Sequence, residues 1–113
     1  MAIIPGKKNF TVQRRADFPL RLTFKDSTGS AINLTGYTVA SDVYDESRST
    51  LYGSFTVTYT NRTGGIVDIN LTDTVTATFT PNVLKYDVLL TDGSGNKEYY
   101  LEGTLFVSEG YTA

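Results

Sequence analysis

From Phe18 to Phe24 the chain alternates strictly: Phe18, Leu20, Leu22 and Phe24 are separated by Pro19, Arg21 and Thr23. Successive side chains of an extended strand point to opposite faces, so this spacing gathers all four apolar groups on one side of a β-strand. Pro19 has no N–H to give to a ladder, which places it at the strand's start or on a sheet edge. The same period of two recurs along the chain. It predicts a first strand over Asn9 to Arg14 with Phe10 and Val12 inward. A further strand spans Tyr37 to Tyr44, with Tyr37, Val39 and Val43 on one face and Ser41 as the polar exception. Phe55, Val57 and Tyr59 alternate up to the turn signal Asn61-Arg62-Thr63-Gly64-Gly65, and Val67, Ile69 and Leu71 resume beyond it, which reads as a hairpin. Tyr86, Val88 and Leu90, then Leu101, Gly103, Leu105 and Val107 across Asp92-Gly93-Ser94-Gly95-Asn96, predict a second and longer hairpin.

Between the hairpins, Thr72 or Asp73 is a candidate cap for one short helical turn near residues 73–79, stopped before Pro81. About seven short strands with turn residues between them make an all-β protein, an immunoglobulin-like β-sandwich of antiparallel strands, with a small barrel as the alternative. At 113 residues and 40% hydrophobic composition, the chain suffices for one core and not for two. Residues 1–8 are expected to form an extended N-terminal arm and 9–113 a single sandwich domain.

Composition removes most chemistry. The chain has no histidine, so the usual general base, the commonest metal ligand and every Ser-His-Asp arrangement are missing. It has no cysteine either, so neither disulfides nor thiolate metal sites arise, in keeping with synthesis in a reducing cytoplasm. A net charge of -2 gives no basic face for nucleic acid or an anionic membrane. The N-terminal run Met1 to Lys8 lacks the apolar stretch of a signal peptide, so the mature chain is expected to be the encoded one. Asp42, Asp45 and Glu46 cluster near a strand end, where solvated surface acids are the ordinary reading and a paired-carboxylate site the unusual one. Asp92 to Asn96 lacks the terminal glutamate and the length of a calcium loop and reads as a hairpin turn, and Gly64-Gly65 lacks the partners of a phosphate cradle. Sequons such as Asn33-Leu34-Thr35 are chance matches in a threonine-rich chain. No enzyme, no cofactor and no metal are expected.

What remains is surface suited to holding other proteins. Ile3 and Ile4 form an apolar segment that either docks on a neighbouring subunit or folds back on its own sheet edge. Arg14 and Arg15 offer the planar fork favoured at interfaces. Tyr44, Tyr52, Tyr99 and Tyr111 are the candidate interface tyrosines, each an apolar body with a polar tip.

Four segments carry a resemblance: Ala16-Asp17-Phe18-Pro19-Leu20-Arg21-Leu22-Thr23-Phe24-Lys25-Asp26; Ile32-Asn33-Leu34-Thr35-Gly36-Tyr37; Tyr86-Asp87-Val88; and Leu101-Glu102-Gly103-Thr104-Leu105-Phe106-Val107. In this order they resemble small tail-associated structural proteins of bacteriophages and prophages, and the chain is similar to the N-terminal immunoglobulin-like domain of upper baseplate proteins. Asn33, where aspartate is common, and Pro19 inside the strand depart from that pattern. The resemblance implies a virion protein of the tail or baseplate, an adaptor, hub or fibre-attachment component assembled in the host bacterial cytoplasm. Its partners would be copies of itself, in a trimeric or hexameric ring, and other virion proteins, with no nucleic acid and no membrane. A capsid decoration protein is the alternative within the virion. A carbohydrate-binding module for host-surface glycans, using tyrosines that stack on sugar faces, is the alternative of another class.

Overall fold

In a computed structural model, which describes residues 6–26 and 28–109, the alternation around Phe18 becomes a strand with Leu22 and Phe24 buried and Arg21 outward. In chain order the elements are β1 (Gly6–Lys7), β2 (Phe10–Gln13), β3 (Phe18–Thr23), β4 (Thr38–Tyr44), β5 (Leu51–Ser54), β6 (Thr56–Asn61), β7 (Ile66–Leu71), α1 (Asp73–Thr76), β8 (Val83–Thr91) and β9 (Lys97–Ser108). They form two sheets. The six-stranded sheet runs β1-β9-β8-β4-β5, with β2 also on β9, and the three-stranded sheet runs β3-β7-β6.

This order is that of an immunoglobulin-like sandwich, in which strands B, E and D face G, F, C and C′. Here β3, β7 and β6 take the first set of places and β9, β8, β4 and β5 the second. Both expected hairpins form: β6 pairs antiparallel with β7, and β8 with β9. Pro19 lies on β3, an edge strand. The expected helical turn is α1, where the Thr72 hydroxyl accepts from the Val75 amide and the buried Thr76 hydroxyl donates to the Ala16 carbonyl.

Three features depart from the sequence reading. First, β1 and β2 run parallel to β9, not antiparallel, and Gly6–Lys7 of the expected arm belongs to the sheet. Second, β5 carries no clear alternation, because Gly53 interrupts it and a register shift lies between Val43 and Tyr44. Third, the chain changes sheets at Phe55, whose ring is buried and whose amide donates to the Ser41 carbonyl at 2.8 Å.

The core lies between the sheets, with Phe24, Phe79, Leu34, Leu84, Leu105 and Val67 fully buried. Each such side chain stabilises the fold by about 1.5–3 kcal/mol. The Arg62 guanidinium stacks over the Tyr59 ring at 3.7 Å and donates to the carbonyls of Leu34 and Tyr37, while the Tyr59 hydroxyl accepts from the Val39 amide. These bonds tie the β6–β7 turn to the loop before β4.

Candidate functional site: the outer face of the six-stranded sheet

The two outer faces differ in how their charges are satisfied. On the three-stranded sheet, Arg21 pairs with Asp68 through two nitrogens at 2.8 and 3.1 Å, and the Thr60 hydroxyl donates to the same carboxylate. The hydrogen bond from Arg21, with the one from Thr60, holds the Asp68 carboxyl down at about 2. That face is internally neutralised.

On the six-stranded sheet, strand register lines up acids. Val39, Ser41 and Val43 point into the core, so Ala40, Asp42 and Tyr44 point out. Antiparallel pairing sets Asp42 opposite Asp87, and Asp87 opposite Glu102, giving three carboxylates side by side on β4, β8 and β9. Like charges directly opposite one another destabilise a sheet. At the two ends of the row, the Ser54 hydroxyl donates to Asp42 at 2.6 Å, and Lys7 lies opposite Glu102. Among the described residues, no hydrogen bond reaches the half-buried Asp87 carboxylate. Its burial, followed by the charge of Asp42, pushes the Asp87 carboxyl above the usual range; Arg48 opposes this and Glu102 adds to it.

Around this row the face is a groove of about 590 Å³. On one side lie Tyr44, Lys85 and Thr104, with the Lys85 ammonium donating to the Thr104 hydroxyl at 2.7 Å. On the other lie Ala40, Leu89 and Tyr99, the last 43% exposed. Leu51 and Phe106, 52% and 46% exposed, add apolar surface on strands of the same sheet. Chemically, the arrangement offers exposed tyrosine rings and carboxylate acceptors beside the cations Lys7, Arg48 and Lys85, and no histidine.

The candidate interface residues separate into groups. Tyr44 and Tyr99 both line the groove. Tyr52 packs half-buried against Phe79, ring centroids 6.4 Å apart, and is tied to the core. Arg14 donates to the carbonyls of Phe79 at 2.7 Å and Thr80 at 3.3 Å and pairs with Glu109, so its fork clamps the end of β2 onto the chain after α1. Arg15, with φ of 68°, turns the chain from one sheet toward the other, and its guanidinium pairs with Glu109 at 3.0 Å. Ile3, Ile4 and Tyr111 lie outside the described residues.

Sequence reasoning grouped Asp42 with its chain neighbours Asp45 and Glu46; all three line the groove, and strand register adds Asp87 and Glu102 beside Asp42. The signal for Asp87 was present in its outward place between Tyr86 and Val88, but the row depends on strand register. Asp45 organises the β4–β5 turn, accepting from the amides of Ser49 and Thr50. Asp92 does the same for the β8–β9 turn through Ser94 and Asn96, as the turn reading expects.

No family model matches the chain. No curated protein matches it either. Among solved structures, it is similar to the filamin domain of Lin-41, at 16% identity and a TM-score of 0.49, over 88% of this chain and 84% of that one.

Proposed function

We propose that this chain is a structural component of a bacteriophage virion, in the tail or baseplate, that works by holding other proteins. The observation that supports this reading is the outer face of the six-stranded sheet. Tyr44 and Tyr99 stand there beside a row of acids whose central member, Asp87, receives no hydrogen bond on its carboxylate from the described residues. Exposed tyrosine is the kind of side chain that anchors interfaces, and an unbalanced charge row is relieved by a partner's donors. The resemblance in the segments around Phe18, Asn33, Tyr86 and Gly103 supplies the virion setting. Mass spectrometry of purified virions tests it: the chain should be present in a fixed ratio to other tail proteins, and its absence from the particles overturns the reading.

The groove also favours a second reading, a carbohydrate-binding module. A volume of about 590 Å³ falls in the range of small-ligand sites, and two tyrosine rings flank its carboxylates. Titration with host-surface glycans, followed by amide NMR, discriminates. Saturable shifts at Leu89 and Tyr99 support sugar binding, and unchanged spectra rule it out.

A further inference from the structure

Each sheet of an open sandwich ends in strands whose outward backbone groups can pair with another chain, and such edges are commonly short, bulged, charged or proline-bearing. Most edges here follow that pattern. On the three-stranded sheet, β3 carries Pro19. On the six-stranded sheet, β5 is four residues long and paired through a bulge, and β1 and β2 are short pieces interrupted at Lys8 and Asn9. The partial exception is β6, Thr56-Val57-Thr58-Tyr59-Thr60-Asn61, which has no charge, no proline and no glycine, although it too is bulged, between Thr58 and Asn61. It pairs with β7 on one side only, and among the described residues no backbone hydrogen bond outside the β6–β7 ladder engages Thr56 to Thr60.

We propose that β6 is a homotypic docking edge, on which β6 of a second copy pairs antiparallel about a two-fold axis through Thr58. The sequence is self-complementary in that register. Thr56 would face the second copy's Thr60, Val57 its Tyr59, and Thr58 its Thr58. These are threonine–threonine and aromatic–β-branched pairs, the kinds that stabilise adjacent strands. The sides match as well: Thr56, Thr58 and Thr60 are exposed, while Val57 and Tyr59 are half-buried toward the core. Pairing therefore continues both the polar outer face and the apolar inner face across the junction. Phe55 sets one limit of the run, because its amide is already given to Ser41. The bulge between Thr58 and Asn61 adds twist but leaves the alternation of exposure intact through Thr60. The product is a continuous sheet in the order β3-β7-β6-β6-β7-β3, an isologous contact that closes on itself.

This deepens the assembly reading by naming a second copy as partner at an edge remote from the groove, and the two readings fail separately. Absence from virions leaves the pairing untouched, and a monomeric chain leaves the virion reading untouched. The chain has no cysteine, so single substitutions report register by disulfide trapping. Opposed residues in an antiparallel pair have Cα atoms about 4.5–5.5 Å apart, within disulfide reach. Thr58→Cys in the full chain should form a covalent dimer at least about tenfold faster than Thr23→Cys, an exposed position on β3. Thr56→Cys and Thr60→Cys should each stay monomeric alone and link when mixed. Sedimentation equilibrium of the unmodified chain should show dimer with Kd between about 10 µM and 1 mM, as a small edge contact allows. Trapping that ignores register, or a monomer up to about 1 mM, overturns the proposal.

Discussion

Gly103 sits in the middle of β9 with no unusual backbone angle, so only space forbids a side chain there. An added Cβ would lie 1.8 Å from the Lys8 carbonyl oxygen, 2.7 Å from the Lys8 carbonyl carbon and 3.1 Å from Tyr86 Cε1. Carbon and oxygen at contact stand about 3.3–3.6 Å apart, so Gly103→Ala requires Lys8 to move by roughly 1.5 Å. Three hydrogen bonds hold that segment: Tyr86 hydroxyl to Lys8 carbonyl at 2.8 Å, Lys8 amide to Glu102 carbonyl at 2.9 Å, and Thr104 amide to Asn9 side-chain oxygen at 2.9 Å. At about 0.5–1.5 kcal/mol each, their loss destabilises the domain by about 2–4 kcal/mol. With a urea slope of about 2 kcal/mol/M, the unfolding midpoint should fall by roughly 1–2 M. A double-mutant cycle identifies the cause. Tyr86→Phe alone should cost about 0.5–1.5 kcal/mol, and almost nothing once Gly103→Ala has displaced the carbonyl. A Gly103→Ala chain within about 0.5 kcal/mol of the parent, or additive effects of the two substitutions, would refute this.

Two further outcomes follow from charge placement. Arg14→Ala removes the clamp on the Phe79 and Thr80 carbonyls and should destabilise by about 1.5–3 kcal/mol in urea melts, with earlier hydrogen exchange in the segment between α1 and β8. Asp87→Asn should stabilise the isolated chain at pH 7 by about 0.2–1 kcal/mol, because it removes a like charge facing Asp42 and Glu102. The sign in pH follows from the raised Asp87 carboxyl: the folded state holds this proton more tightly, so this group's contribution is most favourable at low pH. It is lost as pH rises through the raised folded value. The advantage of Asp87→Asn should therefore shrink on acidification, as followed by melts from pH 7 down to about 4.

Most of the fold was legible because alternation and turn chemistry are local. Phe18 to Phe24, the two hairpins and the Thr72 cap each declare themselves within a few residues. What was missed depends on pairing between distant segments. β1 and β2 both lie parallel on β9, a pairing between opposite ends of the chain, and between them the Lys8 carbonyl turns inward to the Tyr86 hydroxyl in space that Gly103 leaves open. Tyr52 shows the effect of a bulge. The register shift beside Tyr44 puts Leu51 opposite it and outward, while Tyr52 turns to Phe79. An alternation count on β5 cannot register such a shift. Arg14 and Arg62 were indistinguishable from surface arginines until the carbonyls they bind, on loops far along the chain, came into view. The acid row is of the same kind, three residues spread over about half the sequence and aligned by two ladders.

The outer face of the six-stranded sheet is the surface on which we propose that other virion proteins pack, and electron cryomicroscopy of the intact virion tests this most directly. Density of another protein chain packed over Tyr44, Asp87 and Tyr99, with a donor or cation against the carboxylate row, is the expected result. A virion in which that face is open to solvent, or from which the chain is missing, contradicts it.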